Sequence, residues 1–377
     1  ANAESTARCT SSRRLYVGII AETSVETSIS RAMLKDFARK CLYASGALGL
    51  YHRVRNADSL TVVMFHRTLR PGDPRWASCD PDYTLSEDLF VASLDFFKRH
   101  YRVVSLDEVL RARRDGSGLP PRALLITFDD GWLDNVDYAM PALQRAGLPA
   151  VMFVAADAVG AGQPFFQERI IAAWRLGKLA VDALAATMRE NGAACGDAPR
   201  DDIDGLRMLI AQLETMPSAE RRAVLDRHAA VLDDGLRHMV DVGDLARLRV
   251  GGIELGLHGK SHVPMLRADD LDAELGGARA AMAAMLAAPE GLASPACATL
   301  SFPHGSFDDT VAARARAAGY ELLFTSVPVL NPVGDKPSWL LGRTGYEAGT
   351  ITGRSGRFRA DLLAWYLFRR ATRRLAS

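Results

Sequence analysis

Several features that would place a protein quickly are missing from this chain. No run of about 18 apolar residues occurs, so no segment reads as a membrane-spanning helix. Charge of one sign is not in excess: 46 lysines and arginines stand against 45 aspartates and glutamates. That balance excludes the basic footprint of a nucleic-acid binder and gives little reason to expect an acidic polymer as partner. Cysteine is scarce and scattered, at Cys9, Cys41, Cys79, Cys195 and Cys297. No pair has C-x-x-C spacing, which excludes a zinc knuckle or dithiol redox motif. An odd, sparse set reads as reduced thiols and favours a cytoplasmic site, with an extracytoplasmic one as the alternative. There is no repeat or low-complexity tract, and the short apolar stretch 15–21 does not read as a signal peptide. The first 25 or so residues have weak periodicity and many small polar side chains, and disorder is expected there.

What the chain does have is apolar content, at 48%, enough for one large domain or two ordinary ones in 377 residues. Short β-branched, apolar runs at 60–65, 123–128, 150–154, 253–257 and 299–302, with a weaker one at 321–325, read as buried strands. Helical spacing lies between them. One helix starts at Ser86 and carries Leu89, Phe90, Leu94 and Phe97; another opens at Ser105 with Glu108 in capping-box position. The Ala-rich stretch 269–286 and the stretch 307–318, stopped by Gly319, complete the set. Strands alternating with helices predict a parallel sheet, and their number predicts a distorted (β/α) barrel. Residues 164–248 break the alternation, with Ala, Leu, Arg and Glu but no clear strand, and read as a helical insertion. The expected organisation is an N-terminal extension over 1–58, disordered then helical, a barrel over 59–350, and a basic amphipathic C-terminal helix over 351–377. That last helix could rest on an anionic membrane surface or pack on the barrel with its arginines in water.

The chemistry-bearing residues fall at strand ends. Thr127-Phe128-Asp129-Asp130-Gly131 follows the apolar run 123–126 directly. Adjacent carboxylates repel, and neighbours in a strand point opposite ways, so two tasks explain them better than one: cation binding and proton abstraction. Alone, the motif could also be a solvated turn. His258-Gly259-Lys260-Ser261-His262 follows 253–257, and imidazoles four apart can converge on one ion. Phe302-Pro303-His304-Gly305 closes a third strand, and His66 ends the first. In a (β/α) barrel all parallel strands end on one face, which holds the active site. Two histidines, one carboxylate and a position left for water make a catalytic rather than a structural metal site.

The order TFDDG, then H-x-x-x-H, then F-P-x-G, together with the stretch 142–153 after the first motif, resembles the polysaccharide deacetylases, the NodB-homology or carbohydrate esterase family 4 domain. The resemblance spans roughly residues 60–347. It implies a distorted barrel of NodB type with a helical insertion, and hydrolysis of an acetamido group on a sugar. It also implies one divalent metal ion, zinc first with cobalt, nickel or iron as alternatives, on Asp130, His258 and His262. By the same resemblance Asp129 is the general base. The strand Met64-Phe65-His66-Arg67 is similar to that of the poly-N-acetylglucosamine deacetylase subgroup, which makes His66 the general acid. The family's Arg and Tyr in the third motif are replaced by Ser301 and His304, so the partner of the base must come from elsewhere, and Arg343 is the candidate. Gly259 stands where the family has Ser or Thr. Phe302, Pro303, His304 and Gly305 are the expected substrate and oxyanion residues, with a backbone N–H near 303–305 as the oxyanion donor.

Two other readings fit the same residues: an O-acetyl esterase acting on a carbohydrate, and a glycan-binding homologue without catalysis. The expected partner is an N-acetylated sugar, with no nucleic acid and no transmembrane segment, and with peripheral membrane contact through the C-terminal helix as an option. The insertion is expected to cover part of the cleft. Phe165, Phe166, Trp174, Trp339 and Tyr346 are candidate sugar-facing aromatics.

Overall fold

The computed structural model describes residues 33–193, 200–286 and 298–376. The disorder expected at the N-terminus, and Cys9, Cys195 and Cys297, lie outside those residues. Twelve short strands occur in chain order: β1 Ser59–Phe65, β2 Arg67–Leu69, β3 Thr84–Ser86, β4 Arg102–Val103, β5 Ala123–Phe128, β6 Ala150–Val154, β7 Ile253–Leu257, β8 Thr299–Ser301, β9 Leu322–Phe324, β10 Asn331–Pro332, β11 Leu340–Leu341 and β12 Thr344–Gly345. Strands β1, β5, β6, β7, β8, β9 and β11 follow one another side by side, all pairs parallel. The segment 340–345 then crosses back to the start, since β11 pairs with β9 and β12 pairs with β1. The result is the expected barrel, nearly closed, with β2 and β3 as a separate small ribbon.

Inside and outside follow the period of two along each strand. Leu60, Val62, Leu125, Val151, Phe153, Leu322, Phe324 and Leu341 share the inner core. Val63, Phe65, Leu124, Ile126, Met152 and Val154 face the ring of helices. Helix Leu106–Asp115 closes the bottom of the barrel. It has the capping box foreseen at Ser105 and Glu108, and Glu254 of β7 accepts hydrogen bonds from the Leu106 and Asp107 N–H groups. Carrying the inward parity upward puts Met64 and His66, Thr127 and Asp129, Gly256 and His258, and Thr299 and Ser301 at or above the top of the barrel lumen.

The insertion is smaller than the sequence implies. Helices Phe166–Arg175, Val181–Glu190, Ile203–Thr215 and Ser218–Arg227 build their own core around Ile170, Leu184, Met188, Leu209 and Leu213. Helix Val242–Val250, expected to belong with them, instead buries Leu245 and Leu248 in the barrel's outer core and leads straight into β7. Phe166 and Trp174 pack against the insertion's core rather than facing the cleft. The C-terminal helix runs only over Ala360–Phe368, and it buries Leu363, Ala364, Leu367 and Phe368 against the barrel. Among the described residues no helix is long and apolar enough to cross a membrane.

Candidate active site

Asp129 continues the inward parity of β5, and Asp130 turns away from it at φ 78°. That left-handed conformation is uncommon for a residue with a side chain and marks a functional turn. The following Gly131, at φ 94°, is close to Val154 and Val240, and its backbone conformation is one that residues with side chains rarely adopt. The two carboxylates therefore leave the strand in different directions, as two tasks require.

Asp129 is buried and gripped from one side. Arg343 Nη1 donates to its Oδ1 and Arg343 Nη2 to its Oδ2, both at 2.7 Å. Arg343 also donates to the Ser301 hydroxyl at 2.7 Å and to the Thr325 carbonyl at 3.1 Å. Ser301, which stands where the family has another residue, thus helps to hold the arginine that replaces the missing one. Arg343 sits in the joint between β11 and β12. Asn331 fixes that joint by donating to the Gly342 carbonyl and accepting from its N–H, at 2.9 and 2.8 Å. Gly342 packs so closely on Val329 and the Val327 carbonyl that no side chain fits there. Burial alone would push the Asp129 carboxyl up, but Arg343 and then His258 overcome it and hold it below its ordinary value.

The second carboxylate meets two imidazoles. Asp130 Oδ1 lies 3.3 Å from His258 Nε2 and 3.2 Å from His262 Nε2. Donors about 2.0–2.1 Å from a tetrahedral ion are spaced roughly 3.3 Å apart, so the set fits a divalent cation. Two further observations agree. Asp130 Oδ1 is buried without a hydrogen-bond partner, a costly arrangement unless something else satisfies it. His258 Nδ1 faces the Ser301 carbonyl at 2.9 Å, which places the ring proton on Nδ1 and leaves the Nε2 lone pair toward the cluster. Asp130, His258 and His262 are the one such donor group among the described residues. Burial works against charging Asp130, yet the two imidazoles hold it well below the ordinary carboxylate range.

The supporting parts include residues the sequence did not single out. Trp132 Nε1 donates to Asp130 Oδ2 at 2.8 Å. Its ring is backed by the Arg67 guanidinium at 4.2 Å, itself paired with buried Asp134 at 2.7 Å. Phe165 of the insertion stacks on His262 with ring centres 3.8 Å apart. Glu274 accepts from the Lys260 and Ser261 N–H groups and so shapes the loop between the histidines. Gly259 is at φ 71° with Met265, Glu274 and Pro303 crowding it, which explains glycine in place of the family's Ser or Thr.

His66 lines the same cavity as Asp129 and Asp130, its ring edge-on to Tyr83 at 4.9 Å. Burial draws its imidazole below the ordinary value, while the charges of Asp130 and Asp129 pull the other way. The expected oxyanion stretch is only partly available. The Phe302 N–H already donates to the Phe324 carbonyl and the Gly305 N–H to Phe302, while Pro303 has none. That leaves the amide of His304, whose φ of 56° sets it apart from its neighbours. The His304 ring sits 4.7 Å from that of His262 and near Glu214. Trp339 is not in the cleft: it packs into the outer core, with Arg316 over its ring. Tyr346 is buried and borders a neighbouring depression.

The cavity above these residues measures about 480 Å³. One side is barrel, with Met64, His66, Asp129, His258 and Phe302; the other is insertion, with Phe165, Glu168, Ile171, Arg207, Ile210 and Glu214. Glu168 Oε2 is buried there without a partner, and burial raises this carboxyl to about 7.

Comparison with known proteins agrees with this geometry. Two solved structures share the fold along nearly their whole length. They are the Streptococcus pyogenes deacetylase PplD in complex with acetate (14% identity, TM-score 0.51, 82% of this chain and 99% of that one) and IcaB from Ammonifex degensii (17% identity, TM-score 0.51, 83% and 98%). The fold is therefore the NodB-type deacetylase barrel. Residues 116–197, which include the TFDDG motif, match the polysaccharide deacetylase family model. No curated protein matches the chain by sequence. Residues 116–197 are thus similar to the polysaccharide deacetylase family, and the barrel around them has the fold of the two deacetylase structures.

Proposed function

We propose that the protein removes the acetyl group from an N-acetylated sugar, using a divalent cation, zinc first, on Asp130, His258 and His262. A cation bound there would polarise the acetyl carbonyl and lower the pKa of water. The observation that carries the reading is the division of labour between neighbours: Asp130 faces the two imidazoles, while Asp129 is locked by Arg343 beside them rather than among them. A carboxylate held ionised by an arginine is a ready proton acceptor at neutral pH. Asp129 takes the proton of the attacking water, and the His304 N–H stands where it can donate to the oxyanion. His66 then donates a proton to the departing amine nitrogen. Burial opposes the protonated form of that imidazole, and the neighbouring Asp130 and Asp129 charges favour it, so the proton it donates is one that the two carboxylates hold there.

The insertion supports a short or terminal sugar as substrate. A cavity walled on two sides and within the usual range for small-molecule sites accepts a chain end, a short oligosaccharide or a lipid- or nucleotide-linked sugar more easily than the middle of a polymer. Phe165 offers an apolar face, and Glu168, Arg207 and Glu214 offer hydroxyl-binding groups. The deciding measurement is acetate release from N-acetylated mono-, oligo- and lipid-linked sugars, with and without chelator. Release from any of these classes that chelator abolishes supports the reading; release only from O-acetylated sugars run alongside, or none from any sugar, overturns it.

A further inference from the structure

Apolar exposure on this protein is concentrated in one place. Of the thirteen large apolar side chains exposed among the described residues, seven fall within the 22 residues 33–54. They belong to two successive helices, one over 33–44 and the other Ala47–Arg55. Met33 and Leu34 are each 67% exposed, Phe37 65%, Leu50 61% and Val54 74%.

The pattern along each helix is orderly apart from Leu42, which lies about 80° beyond Leu34 on the first. At 100° per residue, Met33, Phe37 and Leu34 fall in one stripe about 100° wide, with Lys40 at one border and Lys35 beyond the other. In the second helix Leu50, Val54 and Tyr51 form the outer stripe, with Arg53 at one border and Arg55 at the other. The opposite faces are firmly seated. Leu48 is buried in the outer core, the His52 ring stacks on Phe368 at 4.0 Å, Tyr43 Oη lies 3.1 Å from His100 Nε2, and Arg39 Nε donates to Asp361 at 3.0 Å. The apolar stripes therefore point outward because the inward faces are already committed.

Charge selects the occupant. Across residues 33–55 there are five basic residues and one acid, and that acid, Asp36, is engaged by Arg39, Lys40 and Arg359. Asn56 Nδ2, just past the second helix, donates to the Phe368 carbonyl at 2.9 Å and ties this surface to the C-terminal helix. Apolar stripes bordered by Lys and Arg, with an aromatic at the edge, suit an interface of headgroups and acyl chains. We propose that the helices over 33–55 dock the protein on an anionic lipid bilayer. Since the second helix feeds the bottom of β1 and His66 stands past its far end, docking leaves the cavity open to water, about 20 Å from this surface.

The test is co-sedimentation of the full chain with vesicles of phosphatidylcholine plus phosphatidylglycerol, against phosphatidylcholine alone. Binding to the mixed vesicles should exceed that to the neutral ones about tenfold and weaken with added salt. The variant Phe37→Glu/Val54→Glu should lose it while keeping the parent melting temperature, and Lys40→Gln/Arg53→Gln should lose the preference for anionic lipid. Absence of binding to mixed vesicles, or equal binding by the Glu variant, overturns the proposal. So does a concentration-dependent dimer that the Glu variant abolishes without any vesicle binding, which would assign the face to a second copy.

Discussion

Arg343 and Asp129 are 214 positions apart in the chain and meet through two parallel hydrogen bonds of 2.7 Å, both side chains fully buried. Removing the cation from such a pair strands a buried carboxylate, which typically costs about 3–5 kcal/mol. Arg343→Met is therefore expected to lower the unfolding free energy by that order and kcat by at least about a hundredfold, read by denaturant melts and acetate release.

The same pair fixes a pH dependence. Asp129 is held below its ordinary value of 3.8, so the stability it contributes is fully present above 3.8 and is lost as pH falls through the lower folded value. Without Arg343, burial acts unopposed by its nearest cation and the carboxyl rises. The acid limb of kcat/KM should then move to higher pH in Arg343→Lys, which retains a charge but not the two-pronged grip. An unmoved limb would remove Asp129 from the role of base. Asp129→Asn should lose turnover while still retaining bound metal.

Metal retention should depend on a residue that touches no metal. Trp132 holds the second oxygen of Asp130, and such partners commonly contribute 10–100-fold to affinity, so Trp132→Phe should weaken zinc binding by about that factor. Titration against a competing chelator measures it. Chelation of the parent protein should abolish acetate release, and added zinc should restore it.

Glu168 titrates in the opposite sense to Asp129. Burial raises it from 4.5 to about 7, so the folded state keeps the proton that the unfolded state releases. Stability is lost as pH climbs from 4.5 to about 7 and is level beyond. Glu168→Gln should therefore melt like the parent at pH 4.5 and gain about 2 kcal/mol above pH 7 in chelator-treated protein.

The barrel and the chemistry at its rim were legible because both follow short-range rules. Apolar runs of five or six residues mark parallel strands, and a motif that continues a strand inherits its inward parity. Asp129 and His258 carried that signal, and Asp130 and His262 stood beside them in the same two motifs. Arg343 was reachable by a different route: a base with no arginine in its own motif must draw one from elsewhere. Trp132, next to the DDG turn, carried a weaker signal in its position alone. Phe165 was expected in the cleft only as one aromatic of the insertion among several, and Glu168 carried no signal, since their place depends on how four helices settle over the cavity. The end of the insertion was misjudged because Val242–Val250 is helical like its predecessors, and only packing shows that Leu245 and Leu248 belong to the barrel. Which N–H of the stretch 302–305 is available could not be read for a related reason. Whether an N–H is already used by a neighbouring strand is a property of register, invisible in a single segment.

Placing the base's cation at the seam of the ring ties activity to completion of the chain. A polypeptide interrupted after residue 262 and before residue 343 would still carry Asp130, His258 and His262, yet its Asp129 would lack the Arg343 guanidinium. A fragment of that kind would sequester a cation without turning over sugar, so metal content alone is no measure of a mature enzyme.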